Sequence, residues 1–476
     1  MDHSDARRIT RRLRLLIAAV LSFLMVAAAV LFVLFENAWQ KPNLLLISID
    51  TLRADHLGSY GYSVDTSPIL DAFAKKQAIL FETVVAAAPS TTPSHASIFT
   101  SLLPVHHGAF FSRRVPLPPE HVTMAEILKG EGYRTVSIND GGQMDAMWGL
   151  SQGFDEYVTL PGVSIKAKFA RNVKRVFRWL DDNAEAKTPW FMFLHTYETH
   201  HPYNPDAEFY NAIGHKYSGA LPDAIDKTLL QEINNEQLSV DEEDKRHIIA
   251  AYDAEIRSMD DAFGVLLSGL ADRDLMENTI IVFTSDHGEE LGEHGMMGWH
   301  SHALWDEQLL VPLLIGLPDG SGAGARISDQ VRGIDMLPTV LELLSIEPLP
   351  HAEGRSIMPL VRGEHDEPRP AVSQRDTVST PVPTTLRIGT RKAYWRQGEE
   401  TPLVFDLGTD PAEKNDLFES DEEAATELRT MLDALITARP QAFTETEVEL
   451  NGTVKAQLES LGYINSGDAG RIGGDK

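Results

Sequence analysis

From residue 41 onward, short apolar runs alternate with segments in which apolar residues recur every three or four positions. The runs NLLLISID from Asn43, YRTVSIND from Tyr133, WFMFLHTYE from Trp190 and TIIVFTSDHG from Thr279 are almost continuously apolar, the pattern of strands covered on both faces. Between them, SPILDAFAKKQ, TMAEILKGEG and YDAEIRSMDDAFGVLLSGL have helical spacing. This alternation predicts an α/β protein with a mainly parallel sheet flanked by helices. No internal repeat is visible. The polar, acidic stretch from Asp206 to Lys245 reads as a surface insertion without a core element. Prolines and charges cluster from Gly363 to Pro383, after which TLRIGTRKAYWRQ and PLVFDL predict a small antiparallel hairpin, followed by a helix from about Asp421 to Ala438. The organisation expected is therefore a main domain over 41–375, a carboxyl-terminal subdomain over 376–465 and a flexible tail over 466–476.

The first forty residues follow a different pattern. Arg7, Arg8, Arg11, Arg12 and Arg14 lie in a basic segment, 1–14, and precede an uncharged apolar run over 15–35, from Leu15 to Phe35. About 20 apolar residues is the length a helix needs to cross a hydrocarbon core. The arginines favour the cytoplasmic side, so the expectation is a single-pass anchor with the rest of the chain extracytoplasmic, in a periplasm or outside the cell. Ala27, Ala28 and Ala29 leave a cleaved signal peptide as the alternative.

Charge and composition narrow the functional classes. A formal charge of −28 over 476 residues, with its basic cluster at the amino terminus, argues against nucleic acid as a partner. The absence of cysteine removes disulfides, thiolate metal sites and cysteine nucleophiles.

Polar residues then gather at the strand ends, where open α/β sheets bind ligands. Asp50 ends the first run, His195 and the following ETHH end the third, and Asp286 with His287 end the fourth. The coincidence points to a metal or anion site; a helix cap with a solvated histidine explains Asp286 and His287 without one. Thr91, in APSTTPSHAS, stands two residues before Pro93 at a predicted helix start. A hydroxyl there, beside a divalent cation, could be deprotonated and attack an anionic centre. A plain cap accounts for the same residues.

SIDTLRADHLGSYGY, APSTTPSHASIFTSLLPVHHG, HTYETHHPYNP, SDHGEELGEHGMMGWHSHALWDEQLLVPLLI, VFDLGTDPAEKNDL and LESLGYI occur in an order and spacing that resembles the sulfatase family of the alkaline phosphatase superfamily. The resemblance implies a doubly wound α/β domain around a metal-assisted ester-cleaving site, with a small carboxyl-terminal α+β subdomain. It places Asp50, Asp286 and His287 on the metal ligands and Thr91 on the nucleophile, which also touches the metal. His200, in ETHHPY, falls on the histidine that meets substrate or leaving group, and His300, in WHSH, near the residue that binds the anionic oxygens. His95, His195 and His302 are further candidates for substrate contact.

Two departures from that family matter. Its sulfatases carry Cys or Ser at the nucleophile, followed by x-P-S-R, and convert it to formylglycine. Here the residue is Thr91, with His95 in place of the arginine, so no formylglycine is expected. The second carboxylate often found at the first motif is replaced by Thr51. Both departures resemble relatives that hydrolyse phosphorus esters or transfer phosphoethanolamine and hold a single metal. Imidazole plus alkoxide suits zinc or manganese better than calcium or magnesium. An ester on Thr91 must be cleaved by a second attack at phosphorus or sulfur, which tilts the expected hydrolase toward phosphorus. The substrate is an anionic ester of a glycan, lipid or small molecule. A phosphoethanolamine-type transferase acting on lipid or glycan, or a non-catalytic binding protein, are the alternatives.

Overall fold

A computed structural model of the chain describes Ser22, Met25 and residues 41–159, 168–184, 188–378, 380–438 and 446–464. The basic segment 1–14, the expected anchor 15–35 apart from those two residues, and the tail 466–476 lie outside the described residues. Among the described residues no helix is long and apolar enough to cross a membrane. The chain divides into two units, Met1–Pro42 and Asn43–Lys476, and only the second is taken further.

Its centre is an eight-stranded sheet of β1 (Asn43–Ile49), β2 (Ala78–Phe81), β3 (Arg134–Asn139), β4 (Glu156–Thr159), β5 (Trp190–Thr196), β6 (Thr279–Thr284), β7 (Leu313–Gly316) and β8 (Arg326–Ile327), in the order β8-β2-β7-β6-β1-β5-β3-β4. The five strands from β6 to β4 are parallel to one another, whereas β7 runs antiparallel to both of its neighbours. The four apolar runs legible in the sequence are all in the parallel part.

Alternate residues of these strands feed two cores. Leu44, Leu46, Phe191, Phe193, Ile280 and Val282 pack on one face with α1 (Thr91–Thr100) and α3 (Met336–Leu343). Leu45, Ile47, Met192, Leu194, Ile281 and Phe283 pack on the other with Tyr252, Ile256, Met259 and Phe263 of α2 (Glu242–Ala271). Burying one aliphatic or aromatic side chain contributes about 1.5–3 kcal/mol, which is why these runs need no polar face. The start of α2 is fixed by a capping box between Asp241 and Asp244.

The acidic stretch differs from its expected reading. It contains helices Ala207–Ile213 and Lys227–Asn234, and Ile225 and Leu230 are fully buried in the second core. These lone apolar residues amid charges act as anchors for a segment whose remaining surface is solvated.

The carboxyl-terminal part holds a four-stranded antiparallel sheet, β9 (Ala371–Gln374), β10 (Thr384–Ile388), β11 (Arg391–Trp395) and β12 (Leu403–Asp406), followed by α4 (Glu422–Thr437) and α5 (Gly452–Leu461). Lys392 of β11 is buried between Asp306 (2.8 Å) and Glu413 (2.7 Å), tying this sheet to the segment that leads into β7.

Candidate active site

The register of the parallel strands places the chemistry. Ser48 pairs with His195 on one side and Thr284 on the other, so Asp50, Thr196 and Ser285-Asp286-His287 emerge together at one sheet edge. Thr91 occupies the first helical position of α1, after an extended Ser90, and donates its hydroxyl hydrogen to Asp50 Oδ2 at 3.1 Å. Pro93 lies in that first turn, as its sequence position suggested, where no intrahelical donor is lost. Ser94 Oγ donates to the backbone carbonyl of Asp286 at 2.7 Å, locking α1 against the end of β6. Thr91, Asp50, Asp286 and His287 are all completely buried.

Thr51 has φ +57°, a left-handed conformation that costs a β-branched residue about 1–3 kcal/mol. Its amide points at Asp286 Oδ1 (3.4 Å). At Gly288 a Cβ would sit 2.1 Å from the Glu307 carbonyl oxygen, so the tight turn after His287 requires glycine. His287 Nδ1 donates to the Gly288 carbonyl at 2.9 Å, which leaves Nε2 as the bare nitrogen.

Buried polar atoms with no hydrogen-bond partner gather here: Asp50 Oδ1, Thr51 Oγ1, Asp286 Oδ2 and His287 Nε2, with Ser90 Oγ, His195 Nδ1 and Thr196 Oγ1 around them. Ligand atoms of Asp50, Asp286 and His287 lie within 4.8 Å of one another. Burial pushes the Asp50 carboxyl up to about 6, and burial together with the Asp50 charge raises Asp286. Burial opposes charge on His287, but the two carboxylates outweigh it and raise its pKa. Orphaned oxygens, a bare imidazole nitrogen and mutually repelling buried carboxylates fit a divalent cation.

Two other groupings have similar spacing, His95-His195-Asp286 and His200-His201-His300. They are less suited to a cation. His95 donates from Nδ1 to the Thr91 carbonyl (2.8 Å) and meets Ser48 Oγ through Nε2 (2.9 Å), so it braces the turn that carries Thr91. His195 Nε2 approaches Asp50 Oδ2 at 3.3 Å. His200 and His300 converge on the hydroxyl of Tyr463, with Nε2 atoms 3.0 and 3.2 Å from it, and the ring of His300 lies 4.7 Å from that of His287. Their Nδ1 atoms face the His201 carbonyl and Glu289 Oε1, so Nδ1 carries the hydrogen and Nε2 a lone pair. Burial lowers both imidazole pKa values, that of His300 to about 4. His302 is directed elsewhere, to Glu290 Oε2 at 2.8 Å.

Sequence reading missed Glu289 and Tyr463. Glu289 was legible in principle, as the residue two after His287; buried, it orients His300 and accepts from Tyr203. Tyr463 stands 372 positions from Thr91, beyond any spacing rule.

The sequence profile of the family described as Sulfatase matches residues 42–346. The chain belongs to the sulfatase family. An ulvan-active sulfatase of Formosa agariphila is 29% identical over 413 residues, covering 79% of this chain and 77% of the relative. A choline-sulfatase of Rhizobium meliloti is 25% identical over 444 residues, covering 80% and 83%. In fold, this sulfatase-family chain resembles the phosphonate monoester hydrolase of Agrobacterium radiobacter, with a TM-score of 0.67 at 22% identity, covering 83% of this chain and 95% of that one. Family membership makes the protein an ester hydrolase of a generally metal-dependent class, and the buried Asp and His groups supply a place for the ion.

Proposed function

We propose that this protein hydrolyses anionic oxyesters with Thr91 as the nucleophile and one divalent cation held by Asp50, Thr91, Asp286 and His287, zinc or manganese being favoured. The observation that carries this reading is the Thr91-to-Asp50 hydrogen bond beside the orphaned atoms of Asp50, Asp286 and His287. A bound divalent cation would lower the hydroxyl's pKa and screen the ester's charge. Asp50 Oδ2 is placed to hold the Thr91 proton as Oγ1 attacks. The amino-terminal position of Thr91 on α1 puts helix dipole behind the charge that develops. His200 and His300, held on the Tyr463 hydroxyl that lies 3.5 Å from Thr91 Oγ1, are the groups offered to the departing alcohol and then to the incoming water.

Phosphorus esters are favoured over sulfate esters. A threonine ester has no elimination route and must be cleaved by a second attack at the central atom, which leaves the hydroxyl as it began. The fold likeness to a phosphonate monoester hydrolase and the sequence likeness to sulfatases are both compatible with this assignment. The test is a panel of aryl sulfate, phosphate monoester, phosphate diester and phosphonate ester, each assayed with zinc, manganese, calcium and magnesium. Highest kcat/KM on a phosphorus ester is expected; sulfate esters turning over fastest would overturn the preference. The run from Leu15 to Phe35 after five arginines supports an anchored enzyme facing away from the cytoplasm, which membrane fractionation with protease protection would check.

A further inference from the structure

Helix α5 brings a phenol into the site from the end of the described chain. Tyr463 Oη lies 3.0 Å from His200 Nε2, 3.2 Å from His300 Nε2 and 3.5 Å from Thr91 Oγ1. It therefore stands at the one point shared by the nucleophile and the two imidazoles.

The segment that delivers this hydroxyl is part of the core. Asn451 caps α5 by accepting from the Val454 amide, and Gly462, at φ +92°, turns the chain so that the Tyr463 amide donates to the Leu458 carbonyl at 2.9 Å. Val454, Leu458, Leu461 and Ile464 are each at most 2% exposed, and Val454, Leu458 and Ile464 belong to the same core as α1. Burial of these four side chains holds the segment down. Gln457 adds a polar tie, accepting from the Gly142 amide at 3.3 Å, and the adjacent Gln143 accepts from the Thr92 amide at 3.2 Å. Nucleophile helix and phenol are thus positioned by one loop. An ester seated on Thr91 needs the space of Oη, and the ring must yield it by side-chain rotation against Phe111, 5.4 Å away between centroids, because the backbone is fixed.

The hydrogen inventory then assigns a role. The Nδ1 hydrogens of His200 and His300 are used by the His201 carbonyl and Glu289, so both Nε2 atoms face the site as acceptors. An oxygen acquiring negative charge needs a donor there. Of the three, Tyr463 carries a hydrogen on its inward atom: at rest that one hydrogen goes to the His200 or His300 Nε2, and the side-chain rotation that admits an ester frees it for the ester oxygen.

We propose that Tyr463 is a further catalytic residue, whose hydroxyl donates a hydrogen bond to the ester oxygen on which negative charge develops during attack by Thr91. The phenol keeps its proton throughout, so no acid-base partner is required. This rests on the assignment of Thr91 as nucleophile.

The test is Tyr463→Phe, which keeps the ring and removes the hydroxyl. Loss of one such donor is expected to lower kcat on the order of 10²-fold, with KM changed far less. The deficit should widen as the leaving alcohol becomes more basic, and the thermal midpoint should stay within about 2 °C of the parent, since only one hydroxyl is lost from a large core. Unchanged or increased kcat in a folded Tyr463→Phe protein would overturn the proposal, the increase marking the phenol as a plug. Thr91→Ala assayed in parallel separates the two readings. If it is inactive while Tyr463→Phe is fully active, only the role of Tyr463 fails; if it retains turnover, the nucleophile assignment fails.

Discussion

Two groups of side chains around Thr91 are built on opposite principles. In one, Asp50, Thr51, Asp286 and His287 present buried polar atoms with no partner. Beside them, His200, His300, Glu289 and Tyr463 are linked to one another by hydrogen bonds, and the ring of His300 lies 4.7 Å from that of His287. An unpaired buried polar group costs about 1–3 kcal/mol, so several in one group are stable only if something is meant to complete them. The linked side chains are aimed by their own hydrogen bonds. The first group is thus the one suited to a cation.

The largest expected effect comes from breaking the unsatisfied group. Replacing Asp286 by Asn and His287 by Ala together should abolish metal binding in elemental analysis and lower kcat/KM by more than about 10³-fold, as removal of a group acting within a catalytic unit does. Asp286→Asn alone, measured metal-free, should be no less stable than the metal-free parent, because it removes a carboxylate charge that Asp50 repels. Unchanged metal content in the double variant would erase the distinction between the two groups.

In the linked group, Glu289→Gln should leave metal content intact and lower kcat about 10-fold. The amide still bonds His300 but no longer favours its orientation by charge. Loss of metal in this variant would mean that the two groups are not separable.

A buried carboxylate outside the site provides the smallest and most general check. Asp260 accepts from the Ile69 and Leu70 amides at 3.0 and 2.7 Å, and burial nevertheless pushes its carboxyl from 3.8 up to about 7. The folded state then holds this proton more tightly than the unfolded chain. Its contribution is fully present below about pH 4 and is lost as pH rises toward about 7, by at most about 4 kcal/mol. Asp260→Asn should flatten that part of the stability profile in denaturant titrations; an unaltered profile would show that two amide donors suffice to keep the carboxylate charged.

How much of this was legible in the sequence follows from where each residue sits. Asp50, His195 and Asp286-His287 were readable because continuous apolar runs mark strands, and their polar ends share one sheet edge. Thr91 was readable because Pro93 marks a helix start. Ile225 and Leu230 were not, since two apolar residues amid charges carry no period, although both are fully buried. Strand β9 was hidden in a segment where prolines and charges cluster, yet Ser373 and Gln374 bond back to Ala86 and Ala87, next to the loop that carries Thr91. Tyr463 was hidden by distance along the chain. What a sequence conceals here is tertiary: which far segment is folded back onto a site whose near half is plain.

The claim on which the rest depends is that Thr91 carries the transferred group. Quenching the metal-loaded enzyme during turnover of a slow phosphorus or sulfate ester, followed by peptide mass spectrometry, tests it most directly. The account predicts a phosphoryl or sulfuryl adduct on Thr91, absent from the Thr91→Ala protein, which should bind metal nearly as well as the parent but turn nothing over. An adduct on another residue, or full turnover by Thr91→Ala, would contradict it.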